Sequence, residues 1–440
     1  MHQLRNGGRS RRGRLRRPAG VGILVVLAMV AAGCSSSSTS SGSQAASSTT
    51  DQASAPGITP NSVTVGLFSD FTGTQAAGFT TVPTGFNARI ALQNAEGGVY
   101  GRQIKVIQGD TASTTSGALT AAQTLVSKNA FAVAAISVVA FAAQPYLTKQ
   151  GIPVVGAAID GPEWSPPNNN MFPVNGSPSA NFPAPVNYGT FFKSIGATNV
   201  GSVALNVPSA VAVAYNMRSS AQHAGLQGTY INTTIPLTQE GNFGSIVQAM
   251  QQQKVDAVFV EMQPAANFAF LRAARQAGLN AQFLLDQITP QSVFQNPQAR
   301  ADAQGTWAYD PFVPTALNTP ATQAYLAALK KYEGYTSSPD LNLDFGWAMA
   351  SAFITGLKAA GRNPTRASYI KALRAVNNFT DDGLAISPVS FTASFGTGAE
   401  GPGPAPQACA YYGQFKGDSF VWQTKPVCGG LVPNSNAPHS

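Results

Sequence analysis

Residues 131–160, FAVAAISVVAFAAQPYLTKQGIPVVGAAID, constrain the fold more than any other stretch of this chain. Residues 132–136 are an apolar run with no position left for a solvated face, 141–150 suit a short helix, and 152–155 are apolar again. This spacing predicts two parallel strands joined by a helical crossover and covered on both faces. Ligands of open α/β sheets bind outside the carboxyl ends of the strands, which here puts residues 137–140 and 157–160 on one rim. Their small side chains let a polar small molecule approach the backbone. The same residues also serve as tight connections in any α/β sheet.

The alternation extends in both directions. Strands are expected at 63–68 and 104–108 and helices at 82–95 and 118–128, leading into the stretch above. After the proline-rich residues 162–185 a second array begins. Its helices are expected at 187–195, 211–224, 243–253 and 268–277, and its strands at 203–205, 230–235, 257–260 and 283–285. Two βα arrays in succession predict two similar α/β lobes. The remainder does not read as a third lobe. Helices are expected at 322–332, 343–360 and 366–375, and a hairpin at 411–414 and 420–423 around Lys416, Gly417 and Asp418. The economical placement returns the helices to the first lobe and the hairpin to the second, with several chain crossings forming a hinge.

The chain opens with Arg5, Arg9, Arg11, Arg12, Arg14, Arg16 and Arg17, then an apolar run over 21–32 and Gly33-Cys34. A basic region, a short apolar region and small residues are the layout of an export signal, and the run falls short of the ~20 residues a membrane-spanning helix needs. Residues 30–34, VAAGC, resemble a bacterial lipobox with Ala31 where Leu is commoner, which makes Cys34 the expected lipid-modified first residue of the mature protein. Residues 35–56 are rich in Ser, Thr, Ala and Gln and predict a flexible tether. The Arg11-Arg12 pair also suits twin-arginine export.

The signal accounts for most of the formal charge of +8. Seven of the 27 Lys and Arg precede Cys34, leaving 20 against 19 Asp and Glu in the mature chain. Near-neutrality and the lack of a basic patch interleaved with aromatics argue against nucleic-acid binding. Apart from Cys34 the cysteines are Cys409 and Cys428, 19 apart, which predicts a disulfide contributing roughly 3 kcal/mol by loop closure and suits an oxidising compartment.

Catalytic and cofactor chemistry is sparse. Beyond the signal the histidines are His223, expected on a surface helix, and His439 near the C-terminus, so neither a catalytic triad nor a His-rich metal site is expected. A formal GxGxxG at Gly396, Gly398 and Gly401 runs into prolines and opens no helix, whereas a dinucleotide site needs a helix N-terminus beneath the pyrophosphate. No cofactor or metal is expected. Asp70, Asp110, Asp160 and Asp286 fall near strand ends, where they suit helix capping, ligand contact or acid/base work.

From about Gly57 to Gly430 the chain resembles the leucine, isoleucine and valine-binding family of solute-binding proteins of ABC importers. The resemblance rests on residues 63–73 (VTVGLFSDFTG), 91–110 (ALQNAEGGVYGRQIKVIQGD), 150–155 (QGIPVV) and 271–283 (LRAARQAGLNAQF), in that order. It implies two Rossmann-like lobes joined by a three-crossover hinge, closing on a small ligand without chemical change. The expected boundaries are 1–33 for the signal, 34–56 for the tether, 57–178 and 310–384 for the first lobe, 179–309 and 385–430 for the second, and 431–440 for a disordered tail.

Carried over by position, Ser137, Ala158 and Asp160 fall where family members hold an amino acid's carboxylate and amino groups. Gln263 falls on a second-lobe aromatic, and Gln287 near an amine-binding acid, a role open to Asp286. Asp160 would repel a carboxylate, so amides, urea-like compounds and organic acids are expected beside amino acids. The resemblance implies a small solute, a transporter permease and a lipid-anchored membrane attachment as partners, with the protein itself a monomer. A sensory lipoprotein of the same fold is a second reading, and a hydrolase using Asp70 or Asp110 a third.

Overall fold

The computed structural model describes residues 51–159, 162–164, 168–175, 184–238, 241–286, 288, 296–392 and 408–433. Strand β1 (Ser62–Ser69) lies between β2 (Gln103–Asp110) and β3 (Ala132–Ile136), and β4 (Val154–Gly156) and β5 (Met171–Pro173) extend the sheet in the order β2-β1-β3-β4-β5. All four pairings are parallel. Every residue of β3 is buried, as its unbroken apolar sequence requires when helices cover both faces. The coverage begins with α1 (Ala76–Phe79), α2 (Val82–Ala95), α3 (Thr115–Ser127) and α4 (Gln144–Lys149). The helix expected over 141–150 is divided into a 3-10 turn, Ala140–Ala142, and α4. Pro145 lacks an N–H and fits the first turn of a new helix, so the chain restarts there.

The second sheet has β7 (Asn199–Leu205), β8 (Gln227–Ile235), β9 (Ala257–Glu261), β10 (Gln282–Leu285) and β11 (Trp307–Asp310) in parallel, joined by antiparallel β12 (Ala408–Lys416) and β13 (Ser419–Trp422). Its order is β13-β12-β11-β10-β9-β7-β8, and β14 (Val427–Gly429) pairs with β12. Cys409 and Cys428 lie opposite one another in that pairing and are bonded, S–S 2.04 Å. A separate ladder joins β6 (Ala184–Pro185), where the chain enters this lobe, to β15 (Leu431–Val432), which follows β14. Around the sheet lie α5 (Asn187–Ser194), α6 (Pro208–His223), α7 (Gly244–Gln252), α8 (Pro264–Gln276) and α9 (Pro297–Ala303). One face of the sheet packs Val203, Val258, Phe270 and Phe283, and the other Phe191, Phe259 and Tyr412. Phe191 and Tyr412 stack at 3.7 Å between ring centres.

Helices α10 (Pro320–Glu333), α11 (Leu341–Ala360) and α12 (Arg366–Arg374) pack on the first lobe. α11 is apolar nearly all round and contributes Phe345, Met349, Phe353 and Ile354 to the first core. It crosses α2 where glycines face backbone: a Cβ on Gly85 would lie 2.0 Å from the Leu343 carbonyl oxygen, and one on Gly346 2.3 Å from that of Val82. α12 is tied to β3 by the Arg366 guanidinium, which donates to the carbonyls of Ala130 and Phe131 at 2.8 and 3.1 Å. The segment before β1 is held as well. Asp51 pairs with Arg102 and Arg362 at 3.1 Å each, and the Gln52 N–H donates to Asn363 Oδ1 at 2.8 Å.

Between the lobes, β11 ends at Asp310 in the second sheet, and two residues later Phe312 lies in the first core, edge-on to Phe345 at 5.4 Å. Asp310 accepts the Phe312 N–H at 2.8 Å and faces Asp340 and Asp344 of the first lobe. Burial pushes Asp310 up to about 7 against the Phe312 hydrogen bond, with Asp340 adding to the rise. Burial likewise pushes Asp381 up to about 7, despite the nearby Arg89.

Two predictions follow from this packing. Gly85→Ala and Gly346→Ala each force the α2–α11 backbones apart and should lower stability by about 1–3 kcal/mol, the usual cost of overpacking; an unchanged urea midpoint in both would refute the close contact. The second concerns pH. From about pH 4, where an unfolded aspartate titrates, to about 7, the folded chain binds more protons at Asp310 and Asp381 than the unfolded chain. Stability therefore falls as pH rises through that window and levels off above it. Each group contributes about 1 kcal/mol between pH 8 and pH 6, so Tm should rise on acidification, and Asp310→Asn should flatten the profile. A profile identical to wild type in Asp310→Asn would contradict the assignment.

Candidate cleft between the lobes

The carboxyl edge of the first sheet is organised by carboxylates. Asp70, directly after β1, is fully buried. It accepts from the Thr111 hydroxyl at 2.6 Å and from the Val138 N–H at 3.1 Å, joining the loops that leave β1, β2 and β3. Burial raises its pKa, and the bonds from Thr111, Val138, Ser137 and Ser113 oppose the rise. Asp110, at the end of β2, accepts from the Thr72 hydroxyl at 2.6 Å and from the N–H groups of Ala112, Phe71 and Thr72 at 2.9–3.1 Å. Burial pushes it up, but these donors outweigh burial and hold it below the ordinary carboxylate range. Both acids shape the rim.

The two lobes meet over this edge. Gln75, in the loop after β1, is buried and donates its side-chain amide to the Leu237 carbonyl, just past β8, at 3.2 Å. Its own N–H donates to Ser113 Oγ at 3.1 Å. The loops that leave β1 in the first sheet and β8 in the second are therefore in contact.

Ser137 and Ala158 both lie on the first-lobe rim, and both are occupied by the chain itself. Ser137 is fully buried, and its hydroxyl accepts the Val139 N–H at 3.2 Å. The Ala158 N–H donates to Asn175 Oδ1 at 2.9 Å, and the Asn175 amide donates back to the Ala158 carbonyl at 3.4 Å. Asp160, Gln287 and Cys34 lie outside the described residues, as do His439 and the glycines at 396, 398 and 401. His223 is exposed at the end of α6.

On the second lobe Gln263 is buried at the N-terminus of α8, where it makes no side-chain cap. Asp286 directly follows β10; its N–H donates to the Val260 carbonyl at 2.9 Å, and its carbonyl accepts from the Asn267 amide at 2.7 Å. Tyr309 Oη donates to Asp286 Oδ1 at 3.0 Å, and Tyr188 of α5 stands edge-on to Tyr309 at 5.7 Å. Glu261, the last residue of β9, completes the group. Burial pushes it well above the usual glutamate range, and the neighbouring Asp286 charge adds to that. Glu261, Tyr188 and Tyr309 do not emerge from the sequence reading. The available signal was an acid ending the run AVFVE at a predicted strand's carboxyl end.

Among the described residues no group of three or more His, Cys, Asp and Glu is arranged to hold a metal ion, and no helix is long and apolar enough to cross a membrane. What the geometry offers is a set of acids and polar groups at the carboxyl ends of the parallel strands of both sheets.

The same architecture recurs in solved structures. A fatty acid ABC transporter substrate-binding protein from Thermomonospora curvata has a TM-score of 0.68 and 20% identity, over 87% of this chain and 95% of that one. A leucine-binding protein, LivK, from Thermotoga maritima has a TM-score of 0.69 and 16% identity, over 83% and 98%. A solute-binding protein of an ABC transporter from R. palustris, in complex with benzoate, has a TM-score of 0.67 and 17% identity, over 86% and 99%. No curated protein matches the sequence. Residues 62–416 match the family model of the periplasmic binding proteins, which are binding proteins of extracytoplasmic location and not enzymes. By that match, which spans both sheets and the helices returning to the first, this chain belongs to the periplasmic binding protein family.

Proposed function

We propose that this protein captures a small polar solute between its lobes and delivers it to an ABC importer, working as a monomer held at the membrane by lipid on Cys34. The observation that carries the reading is the hydrogen bond from Gln75, beyond β1 of the first sheet, to Leu237, beyond β8 of the second, which joins the lobes at the carboxyl ends of their parallel strands. A ligand there gains contacts from both lobes only when they close, which is how binding energy shifts such a hinge. Gln263 and Asp286 approach the solute from the second lobe, together with Gln287, and Asp160 approaches from the first. Ser137 and Ala158 build the rim. Structures of this fold take fatty acid, leucine or benzoate according to their names, so the architecture leaves the solute class to the side chains of the cleft.

Native mass spectrometry of protein purified without denaturation tests the reading directly. A solute in the cleft should appear as a bound mass that is lost on unfolding, and catalytic turnover of that solute would reject a binding-only role. The anchor has its own test. Mature protein should label with fatty acid and partition into detergent, and Cys34→Ala should be released or left unprocessed; a Cys34→Ala protein that is cleaved yet still membrane-bound would exclude the lipid.

A further inference from the structure

The proposed solute site has an unusual charge balance. β9, β10 and β11 are neighbouring parallel strands, so their carboxyl ends bring Glu261, Asp286 and Tyr309 side by side. With side chains alternating along a strand, Glu261 shares the sheet face of Phe259, the face that also holds Tyr309 and is covered by α5 with Tyr188. Tyr309 supplies a donor to Asp286. The Glu261 side chain makes no ion pair among the described residues, and its Oε2 is enclosed with no hydrogen-bond partner. Two carboxylates at close quarters disfavour each other's ionised form, and an enclosed carboxylate without a donor costs free energy until a cation or donor reaches it.

The opposite rim offers an anion little among the described residues. Four donors beyond the ends of β2, β3 and β4 are already taken within the chain: the Thr111 hydroxyl and the Val138 N–H by Asp70, the Val139 N–H by Ser137, and the Ala158 N–H by Asn175. A carboxylate solute would have to displace these internal acceptors. A positively charged nitrogen gives Glu261 Oε2 the donor it lacks, while the tyrosine rings add attraction for a cation.

We propose, building on the solute-receptor reading above, that Glu261 and Asp286, framed by Tyr188 and Tyr309, form a subsite for a cationic nitrogen group, and that the solute is an amine or guanidine without a carboxylate. Glu261 sets the specificity and Asp286, oriented by Tyr309, supports it. A cation at this point also draws the Glu261 proton away, because burial and Asp286 are what hold that proton in the free protein and, among the described residues, the remaining titratable neighbours are the two tyrosines.

Calorimetry on the full mature chain, freed of co-purified solute, tests this with butane-1,4-diamine and agmatine against leucine and benzoate. At least one of the two cations should bind, leucine and benzoate should not, and Glu261→Gln should weaken the cation at least ten-fold. Glu261→Asp, which keeps the charge, should recover part of the loss, and both variants should melt at or above the wild-type temperature because a crowded acid has been removed or shortened. Tighter binding of leucine or benzoate, a cation affinity unchanged in Glu261→Gln, or a co-purified solute bearing a carboxylate would each overturn the inference and leave the solute-receptor reading standing. If none of the four binds and native mass spectrometry finds no solute, the receptor reading fails and the inference with it.

Discussion

A parallel sheet has no face to give to water, and that constraint governs the first lobe. β1, β3 and β4 are buried on both sides, yet the helices that precede residue 175 cover them only in part. The missing layer is α11, which arrives after the chain has built most of the second lobe. Its near-uniform apolarity, which would be a liability on an exposed helix, is what a helix between a sheet and two other helices needs. The glycine-to-backbone contacts with α2 let it sit close enough to pack without voids. The division of the chain among lobes follows from this requirement: the first lobe is incomplete until the chain returns.

Acids then do in the interior what backbone pairing cannot. Asp70 and Asp110 use their oxygens to fix loops at the strand ends, Asp340 caps α11 by accepting from the Asn342 and Leu343 N–H groups, and Asp310 turns the chain from one lobe to the other. Few cations accompany them. Arg89, 3.2 Å from Asp382, is the basic group associated with the Asp381 region. Burial therefore makes negative charge costly at Asp70, Glu261, Asp310 and Asp381, whereas hydrogen bonds from the chain favour it at Asp110.

Much of this was legible in the sequence. Long periodic segments such as 82–95 and short apolar runs such as 132–136 were read with their observed bounds, because burial on one stripe or on both faces leaves a direct signature. β11 escaped because Trp-Ala-Tyr-Asp alternates and borders a polar loop, so it reads as surface until β10 and β12 are placed beside it. The cleft was legible as a location and not as chemistry. Sequence position put Ser137 and Ala158 on the rim, but nothing in the linear chain tells that Asp70 and Asn175 have already claimed the hydrogen bonds there. Glu261 was invisible for the same reason: its significance is the absence of a donor, a property of the assembled neighbourhood.

The short ladder between β6 and β15 has a topological consequence. It pairs the residues by which the chain enters the second lobe with residues that follow β14, so the first lobe's returning helices lie in the sequence between two segments of the second lobe that are themselves paired. The chain passes between sheets after residues 175, 310 and 392, and severing any one passage leaves the halves joined by the other two. A protease must therefore cut more than once before the lobes can drift apart.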